Sequence, residues 1–378
     1  MRASSPQLEQ AGQTLSLREL ECEARKCLDP VVYDFVAGGA EDEVTLRAND
    51  ASFARISLVP RVLRGKPTPD LAITLLGRPM TMPVLIAPTA FHRLAHPDGE
   101  CATARAAAAA GVIMIASMAS TVAIEEVAAA AREKTAGAGP SLWFQLYIQP
   151  DLGFTEAIIR RAEAAGCNTL AVSVDSPTFG RRERDERNGF RDLPPGLWCE
   201  NLRGPIAGGN PVRPRDIVFS PELSWQHITW LRRTTELKIV LKGVMHPADA
   251  RLAVEAGVDA LMVSNHGGRQ LDTVPAAIEL LPAIRDVVAG RVPLLIDGGI
   301  RRGTDIVKAL ALGATAVAIG RPIFWGLAVA GEEGVTQVLE MLRSELVRTF
   351  TLCGCGLPCD LSPDLLRFRR MEEPCWGS

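Results

Sequence analysis

The sequence carries little net charge and no long hydrophobic run. Its 41 Lys and Arg residues nearly balance its 44 Asp and Glu residues, which leaves a formal net charge of −3 at pH 7. Such a balance provides no long-range field that would attract nucleic acid or an anionic membrane. No uncharged apolar stretch reaches the ~18 residues of a transmembrane helix. We therefore expect neither a nucleic-acid partner nor a membrane partner.

Targeting signals are also lacking at both ends of the sequence. Residues 1–14 are polar and contain no apolar core of the kind that a secretory signal peptide requires. The final tripeptide, Trp-Gly-Ser, is not a peroxisomal signal. We expect a cytoplasmic protein.

Cysteine is scattered along the chain and is not paired. The count of 9 is odd, which favours reduced thiols inside a cell over a disulfide framework. A C-terminal group consists of Cys353, Cys355, Cys359 and Cys375. Their spacing is not the paired C-x₂-C of zinc sites, and no histidine follows them. We predict free thiols and no metal site.

Short apolar runs alternate along the chain with alanine-rich stretches of helical period, which is typical of βα units around a parallel sheet. Hydrophobic residues make up 47% of the chain, so a large core can be buried. Eight strands are predicted, at 82–88, 111–117, 142–148, 169–175, 238–244, 260–266, 292–298 and 315–321. Helices are predicted between them, for example at 98–110, 154–166, 247–257 and 303–313. Eight units favour an α/β fold of the closed (β/α)₈ TIM barrel type over an open doubly wound sheet, for which no G-x-G-x-x-G follows the first strand.

Two segments fall outside this alternation. Residues 16–60 precede the first strand, and we predict extra helices that cover the bottom or the rim of the barrel, so that residues 1–60 form an N-terminal helical cap. Residues 176–222 form a long connection rich in Pro and Gly, for which we predict an active-site lid. One barrel accounts for the rest, so we expect residues 1–378 to form a single domain.

Polar side chains end nearly every predicted strand. In a (β/α)₈ barrel the carboxyl ends of the strands surround one shared site. A barrel with a purely structural role has no reason to end its strands in ionisable groups, so we predict an active site there. The residues concerned are Thr89, Ser117, Gln145, Tyr147, Ser173, Asp175, Lys242, His266, Arg269, Asp297 and Arg321.

The most informative segment is SNHGGRQLD, from Ser264 to Asp272. The imidazole of His266 can exchange a proton near neutral pH. The two glycines that follow let the backbone turn sharply beside a ligand, and Arg269 offers a planar fork for a carboxylate. Asp175, at the end of the fourth strand, would stabilise a protonated histidine; the alternative is that it caps the segment that follows.

Lys242 ends the fifth strand inside an apolar run, where a cation is costly unless it faces an anion or an electron-poor ring. It is either a Schiff-base lysine, as in aldolases, or a cation beside a cofactor. Strands seven and eight are followed by Asp297–Arg301 and Gly320–Arg321, in the place where this fold usually binds a phosphate. One phosphate site favours a mononucleotide cofactor or a phosphorylated substrate over a dinucleotide.

These motifs resemble those of the FMN-dependent 2-hydroxy acid oxidase and dehydrogenase family, from about Leu17 to about Cys355. Ser264–Asp272 matches the most specific motif of that family, and Asp297–Thr304 matches a second. The resemblance implies a barrel that binds FMN and oxidises a small 2-hydroxy acid to the 2-oxo acid. It also implies O₂ or another electron acceptor as the second substrate, and a homotetramer or octamer.

The same resemblance assigns roles to single residues. His266 would take the substrate's proton, with Asp175 as its ionic partner and Tyr147 near the reacting oxygen. Arg182 and Arg269 would hold the substrate carboxylate. Lys242 would stabilise the negative charge of reduced flavin at its N1–O2 edge. The flavin ring would be lined by Thr89, Ala90, Ser117, Gln145, Ser173 and Ser264. The ribityl chain and phosphate would be held by Asp297, Gly299, Arg301, Gly320 and Arg321.

Two positions depart from the glycolate oxidases of that family. Phe35 stands where those enzymes carry a tyrosine whose hydroxyl meets the substrate carboxylate, and Ala119 stands where many members have a large aromatic residue. Both changes favour a bulky or aromatic substrate, such as a mandelate-like or medium-chain 2-hydroxy acid. Four side chains of the lid would refill the space if they turned inward, namely Phe179, Phe190, Leu197 and Trp198.

Other classes of protein stay open at this point. A phosphate-binding lyase or isomerase barrel would use Lys242 covalently and would be colourless, whereas a flavoprotein is yellow. A non-catalytic binding barrel would have lost the ionisable strand ends, which here are nearly all present. Within the family, a dehydrogenase with a quinone or protein acceptor is the alternative to an oxidase. The lack of a fused haem domain and of a membrane segment favours the oxidase.

Overall fold

Eight parallel strands close into a barrel in which each strand pairs with the next one along the chain and the last pairs with the first. The computed structural model describes residues 15–66, 68–135, 139, 141–203 and 214–369. The barrel strands are β4 (Val84–Ile86), β5 (Met114–Ala116), β6 (Leu142–Leu146), β7 (Thr169–Ser173), β8 (Lys238–Lys242), β9 (Ala260–Val263), β10 (Leu294–Asp297) and β11 (Ala316–Ile319). The predicted (β/α)₈ barrel is confirmed.

Each barrel strand lies within one of the eight predicted runs and is shorter than that run. The β7–β8 ladder extends in register from Thr169 opposite Lys238 to Ser173 opposite Lys242. Parallel barrel strands are buried on both faces, which is why they appear in the sequence as continuous apolar runs. The runs overestimate strand length because buried apolar residues such as Ile113 continue beyond the ladders.

Helices connect the strands and cover the outside of the barrel. They span Gly99–Ala110, Ile124–Arg132, Leu152–Ala165, Trp225–Thr234, Pro247–Glu255, Ala277–Val288, Gly303–Ala311 and Arg321–Cys353, the last with a kink at Ala330 and Gly331. The helix Leu152–Ala165 shows how they are delimited. The Asp151 side chain accepts a hydrogen bond from Phe154 N at its start, and Gly166 ends it in the left-handed conformation at φ 93°.

In the described part of the chain before the barrel, helices span Leu17–Cys27, Pro30–Ala37 and Val44–Ala54, within the segment predicted to be helical. The end of that segment differs from the prediction, because β1 (Ile56–Leu58) pairs antiparallel with β12 (Leu366–Phe368). A hairpin of β2 (Ile73–Leu75) and β3 (Arg78–Met80) then leads into β4 at the amino end of the barrel.

The second and third of these helices lie on the rim at the carboxyl ends of the strands. Arg269 Nη1 donates a hydrogen bond to Phe35 O at 2.7 Å. The Asp272 carboxylate accepts hydrogen bonds from the N–H groups of Val44 and Thr45, at 3.1 and 2.7 Å, and so caps the third helix. For these two helices, the contacts correspond to the rim and not to the bottom of the barrel.

Residues 176–222 leave the barrel after β7, and 204–213 lie outside the described residues. The described part contains a short helix, Glu183–Arg187, and a 3₁₀ turn, Glu200–Leu202. Asn201 fixes this connection to the barrel, because its Nδ2 donates to Ser117 O at 3.1 Å and its Oδ1 accepts from Ile124 N at 2.8 Å. Its action as a lid stays a prediction.

The described cysteines are free thiols. Within the described ranges, no group of three His, Cys, Asp or Glu side chains is arranged to hold a metal ion. Cys375 lies outside those ranges. No helix in the described part of the chain is long and apolar enough to cross a membrane.

Candidate active site

A cleft opens at the carboxyl ends of the barrel strands, where the sequence predicts the active site. Most of the predicted site residues line it, namely Phe35, Thr89, Ala90, Ser117, Ala119, Gln145, Tyr147, Ser173, Arg182, Lys242, His266, Arg269, Asp297, Gly299, Arg301, Gly320 and Arg321. Two others, Asp175 and Ser264, lie behind the wall and bind residues that line it. The fold thus collects side chains that are far apart in the sequence.

His266 is held between a carboxylate and a phenol. Its Nδ1 lies 3.0 and 3.1 Å from the two carboxylate oxygens of Asp175, and its Nε2 lies 3.4 Å from the hydroxyl of Tyr147. Gly243 permits this approach, since a Cβ there would lie 2.5 Å from the Asp175 side chain. Because Nδ1 is engaged by Asp175, Nε2 is the nitrogen left for a substrate.

The backbone at His266 is strained. His266 has φ 57°, and Gly267 and Gly268 continue in the left-handed region at 65° and 72°. Residues other than glycine rarely adopt this conformation, and such strain is concentrated at functional sites. The turn also brings Gly268 against the rim, where a Cβ would lie 2.7 Å from Leu46 N. The two glycines therefore serve both the turn and the packing of the rim.

Asp175 stays ionised although it is buried. Burial by itself raises the pKa of Asp175, but His266, Lys242 and the Ser176 hydroxyl outweigh burial and lower the pKa to about 2. A carboxylate that is ionised at neutral pH stabilises positive charge on the adjacent imidazole. Tyr147 stays a neutral phenol, because burial and the charge of Asp175 raise its pKa.

Lys242 is a second buried charge, with its side chain 4% exposed. Its Nζ lies 3.2 Å from Asp297 Oδ2 and donates to Ser264 Oγ at 2.9 Å. Burial lowers the pKa of Lys242, but Asp297 and Asp175 together raise it above the ordinary value, so the side chain stays an ammonium. Schiff-base chemistry needs a lysine of depressed pKa. This environment therefore disfavours covalent use of Lys242.

The guanidinium groups of Arg182 and Arg269 both lie over the ring of Phe35, at 5.8 and 5.1 Å from its centroid. Arg182 Nε donates to Asp185 Oδ2 at 2.6 Å, and Arg269 Nη1 donates to the carbonyl oxygens of Phe35 and Gly38. Burial and the like charge of Arg182 lower the pKa of Arg269 well below its usual range. A bound carboxylate would relieve this repulsion, so this part of the cleft favours an anion.

Another part of the cleft is formed by Gly298–Arg301 and by the start of the helix Arg321–Cys353. Asp297 Oδ1 is buried there and has no hydrogen-bond partner in the described part of the chain. Burial and the charge of Arg301 lower the pKa of Arg321 to about 10. The Arg321 guanidinium donates to three carbonyl oxygens, those of Val36, Gly38 and Gly267. An unpaired acceptor suits a ligand hydroxyl, while the concentrated positive charge suits a phosphate.

Three polar side chains above β5, β6 and β7 form a connected chain. Ser117 Oγ donates to Gln145 Oε1, and Gln145 Nε2 donates to Ser173 Oγ, both at 3.2 Å. All three side chains are buried. Their mutual hydrogen bonds fix the orientation of the Gln145 amide, so this wall presents a preset pattern of donors and acceptors to a ligand.

Sequence reasoning missed part of the apolar wall. Phe91, Ile217 and Phe219 line the cleft, although no motif in the sequence places them there. Phe219 packs edge-to-face on Tyr147 and on Phe179, with ring centroids 5.0 and 4.3 Å apart. The available signal was the apolar triplet 217–219 within a polar connection.

The four side chains of the 176–222 connection that could refill the space differ in their positions. Phe179 lines the cleft, whereas Phe190 packs on Phe35 with ring centroids 4.6 Å apart. Leu197 and Trp198 are not among the residues that line the cleft. Of these four side chains, Phe179 therefore lines the cleft together with Ala119.

Nearly the whole chain is similar to proteins of known function. The family model described as FMN-dependent dehydrogenase matches residues 24–368. The chain is 47% identical to an L-lactate oxidase from Nostoc sp., over 93% of this chain and 98% of that protein. It is 45% identical to a glycolate oxidase from Spinacia oleracea, over 90% of this chain and 92% of that protein. A solved structure of mandelate oxidase with benzoyl-formic acid is similar at a TM-score of 0.85 and 41% identity, over 94% of this chain and 98% of that one.

Proposed function

Because the chain belongs to the FMN-dependent dehydrogenase family and uses FMN to oxidise a 2-hydroxy acid, we propose that its substrate is an (S)-2-hydroxy acid with a bulky or aromatic side chain. The relatives are named for lactate, glycolate and mandelate, which differ in the size of the side chain. The residues that border the substrate side chain therefore determine which of these acids this chain prefers. The observation that carries the proposal is that the small side chain of Ala119 lines the cleft together with the apolar side chains of Ile217 and Phe219.

The described residues fit FMN. The unpaired Asp297 Oδ1 suits a ribityl hydroxyl, and the buried Lys242 ammonium suits the negative charge of a reduced flavin. A Cβ at Gly320 would lie 3.2 Å from the Thr89 side chain, so the glycine keeps this wall open. The ring would be held by Thr89, Ala90, Ser117, Gln145, Ser173, Lys242 and Ser264. The ribityl chain and the phosphate would be held by Asp297, Gly299, Arg301, Gly320 and Arg321. Bound FMN supplies a two-electron acceptor.

In this proposal His266 takes the proton of the substrate hydroxyl at Nε2. The contact of Nδ1 with the ionised Asp175 supports this role, because it orients the ring and stabilises the imidazolium that results. The Tyr147 hydroxyl is near enough to Nε2 to bind the same substrate oxygen.

Arg182 and Arg269 hold the substrate carboxylate in this proposal. Both guanidinium groups lie over Phe35, and the mutual repulsion that lowers the pKa of Arg269 would be offset by an anion between them. Holding the carboxylate there also fixes which atoms of the substrate face His266, which is how orientation contributes to rate.

The preference for a bulky side chain rests on apolar contact. Phe35 has no hydroxyl to bind a small polar acid, and Ala119 presents only a methyl group to the cleft. Ile217 and Phe219 supply apolar surface that a phenyl or alkyl group can cover. Buried apolar area contributes roughly 25 cal/mol per Å², which glycolate, with no side chain, cannot gain.

We further propose that O₂ reoxidises the flavin, since relatives of this chain are named oxidases. A dehydrogenase with another acceptor is the alternative, and the rate of H₂O₂ formation in air distinguishes the two.

A cytoplasmic location and a homotetramer or octamer complete the proposal, although relatives from Arabidopsis thaliana are named peroxisomal. Light scattering on the purified protein tests the assembly, and cell fractionation tests the location.

The test of the proposed function uses the purified yellow holoenzyme. Acid precipitation should release FMN, and anaerobic mixing with (S)-mandelate should bleach the flavin absorbance. Borohydride added with substrate should leave no adduct on Lys242. Release of FAD, or a flavin that no 2-hydroxy acid bleaches, would contradict the proposal.

A further inference from the structure

A buried histidine that the proposed chemistry does not use supports the cleft wall at Thr89. His92 is 1% exposed, and Thr89 lines the cleft. Thr89 Oγ1 lies 2.6 Å from His92 Nε2, and His92 Nδ1 lies 2.9 Å from Thr103 Oγ1. Thr103 is fully buried in the helix Gly99–Ala110. The three side chains thus form a line from that helix to the cleft.

The segment that carries Thr89 and His92 is firmly held. Glu100, which is fully buried, accepts hydrogen bonds from His92 N at 3.1 Å and from Thr121 N and Oγ1, both at 2.8 Å. Phe91 has φ 64°, a conformation that persists only where the surrounding structure enforces it. These contacts fix the position of the imidazole, but they do not determine which of its two ring nitrogens carries the proton.

The hydrogen-bond inventory favours one tautomer. Burial lowers the pKa of His92, so the ring is neutral and carries one proton. The Thr103 hydroxyl makes its contact with His92 Nδ1 and no other hydrogen bond within the described ranges. If Thr103 donates to Nδ1, the ring proton lies on Nε2 and is donated to Thr89 Oγ1. The opposite tautomer leaves the buried Thr103 proton without an acceptor, which is unfavourable.

We propose that Thr103, His92 and Thr89 form a hydrogen-bond relay that makes Thr89 a fixed donor to the bound FMN, with His92 as a positioning residue. Because Thr89 Oγ1 accepts from the imidazole, its own proton points away from His92 and is available to the cleft. A fixed donor stabilises a flavin acceptor more after reduction than before, since the reduced ring carries more negative charge. The relay therefore raises the midpoint potential of the flavin. The inference rests on the proposed function only in requiring FMN to occupy the cleft.

Thr103→Val is the sharpest probe, because valine matches threonine in shape and Thr103 does not line the cleft. Without the Thr103 donor, nothing fixes the ring proton on Nε2, and the ring can accept the Thr89 proton instead. We expect a more negative midpoint potential and a displaced visible absorption band. We also expect FMN release on dilution of the holoenzyme to be roughly 3- to 10-fold faster, as for the loss of one neutral hydrogen bond.

Two further variants separate the relay from packing. His92→Leu should reproduce the changes, and His92→Gln, whose amide can donate from near the Nε2 position, should restore the wild-type potential. The matched control is Thr169→Val, since Thr169 is equally buried but lies at the amino end of β7, away from the cleft. It should leave the potential and spectrum unchanged.

The outcomes are distinct. The visible spectrum of the wild-type holoenzyme shows whether FMN is bound before any variant is compared, so a failure of the proposed function is seen separately. A Thr103→Val holoenzyme with the wild-type potential and spectrum would overturn the relay, whether or not His92→Leu folds. A shift of the midpoint potential in Thr169→Val equal to that in Thr103→Val would also overturn the relay, because the shift would then result from a general change in packing.

Discussion

Two regions meet at the cleft: the carboxyl ends of the barrel strands and the long connection at 176–222. The strand ends carry charges that are buried and paired, such as Lys242 with Asp297 and His266 with Asp175. The connection presents apolar side chains such as Ile217 and Phe219. We propose a division of roles in which the strand ends supply the charges for proton transfer and cofactor binding, helped by Arg182 of the connection, which binds the carboxylate. The connection also adds Ile217 and Phe219 to the apolar surface of the side-chain pocket, which Phe35 and Ala119 line as well.

His266→Ala should remove the chemistry and leave the cofactor in place. Loss of a general base typically lowers the rate by about 10²–10⁴-fold, and His266 contacts Asp175 and Tyr147 at the substrate side of the cleft. Stopped-flow flavin reduction under anaerobic conditions measures the effect, and the FMN content of the variant should equal that of the wild type. His227→Ala, in the helix Trp225–Thr234 and not among the residues that line the cleft, is the control. Reduction within tenfold of the wild type would reject His266 as the base.

Arg269→Lys should weaken substrate capture more than it slows the chemistry. An ammonium cannot reproduce the planar, two-pronged contact of a guanidinium with a carboxylate, so we expect roughly a 10- to 100-fold loss of substrate affinity. The dependence of the flavin reduction rate on substrate concentration separates affinity from the limiting rate. The control is Arg181→Lys, because the Arg181 side chain is exposed although it is next to Arg182 in the sequence; this variant should bind substrate as the wild type does. An unchanged affinity in Arg269→Lys would refute the assigned contact.

Phe219→Ala should change selectivity without changing the proton chemistry. The Phe219 ring packs on Tyr147 and Phe179 and borders the cleft, so its removal takes apolar surface away from a bulky substrate. We expect kcat/KM for mandelate to fall roughly tenfold, as for the loss of one partly buried apolar contact. Glycolate should be nearly unaffected, and Phe368→Ala, an exposed ring on β12, should change neither value. An equal fall for both acids would break the proposed division between the two regions.

The smallest expected effect concerns the pH dependence of the free energy of unfolding. Burial opposes ionisation of Asp175, but His266 and Lys242 lower its pKa from 3.8 to about 2. The ionised group therefore stabilises the fold above about pH 4, and this contribution is lost as the pH falls towards 2. Between pH 6 and pH 3 the wild-type holoenzyme should lose about 1 kcal/mol more than Asp175→Asn in urea unfolding. Phe219→Ala should follow the wild type, and equal losses in all three proteins would contradict the assigned ionisation.

The fold could be predicted because its signal is local. Each barrel strand is a short apolar run, and the polar side chains that end the runs share one site by the geometry of the barrel. The position of the N-terminal helices could not be predicted to better than bottom or rim. Their place depends on long-range contacts, such as the Asp272 carboxylate on Val44 N and Thr45 N.

The site was partly predictable, for a related reason. His266 and Lys242 stand at strand ends, where sequence position determines spatial position. Phe219 could not be placed, because a long connection can fold back in many ways and its apolar triplet has no period. The contacts of His92 could not be predicted either. Nothing in the sequence around a lone histidine indicates that both of its ring nitrogens contact threonine hydroxyls.

We propose that this FMN-dependent cleft prefers a bulky 2-hydroxy acid to a small one. The most direct measurement compares kcat/KM for glycolate, lactate, 2-hydroxyoctanoate and mandelate with one electron acceptor. Phe35 and Ala119 lead us to expect a larger acid, mandelate or 2-hydroxyoctanoate, to exceed glycolate. A value for glycolate above that of every larger acid would contradict the account.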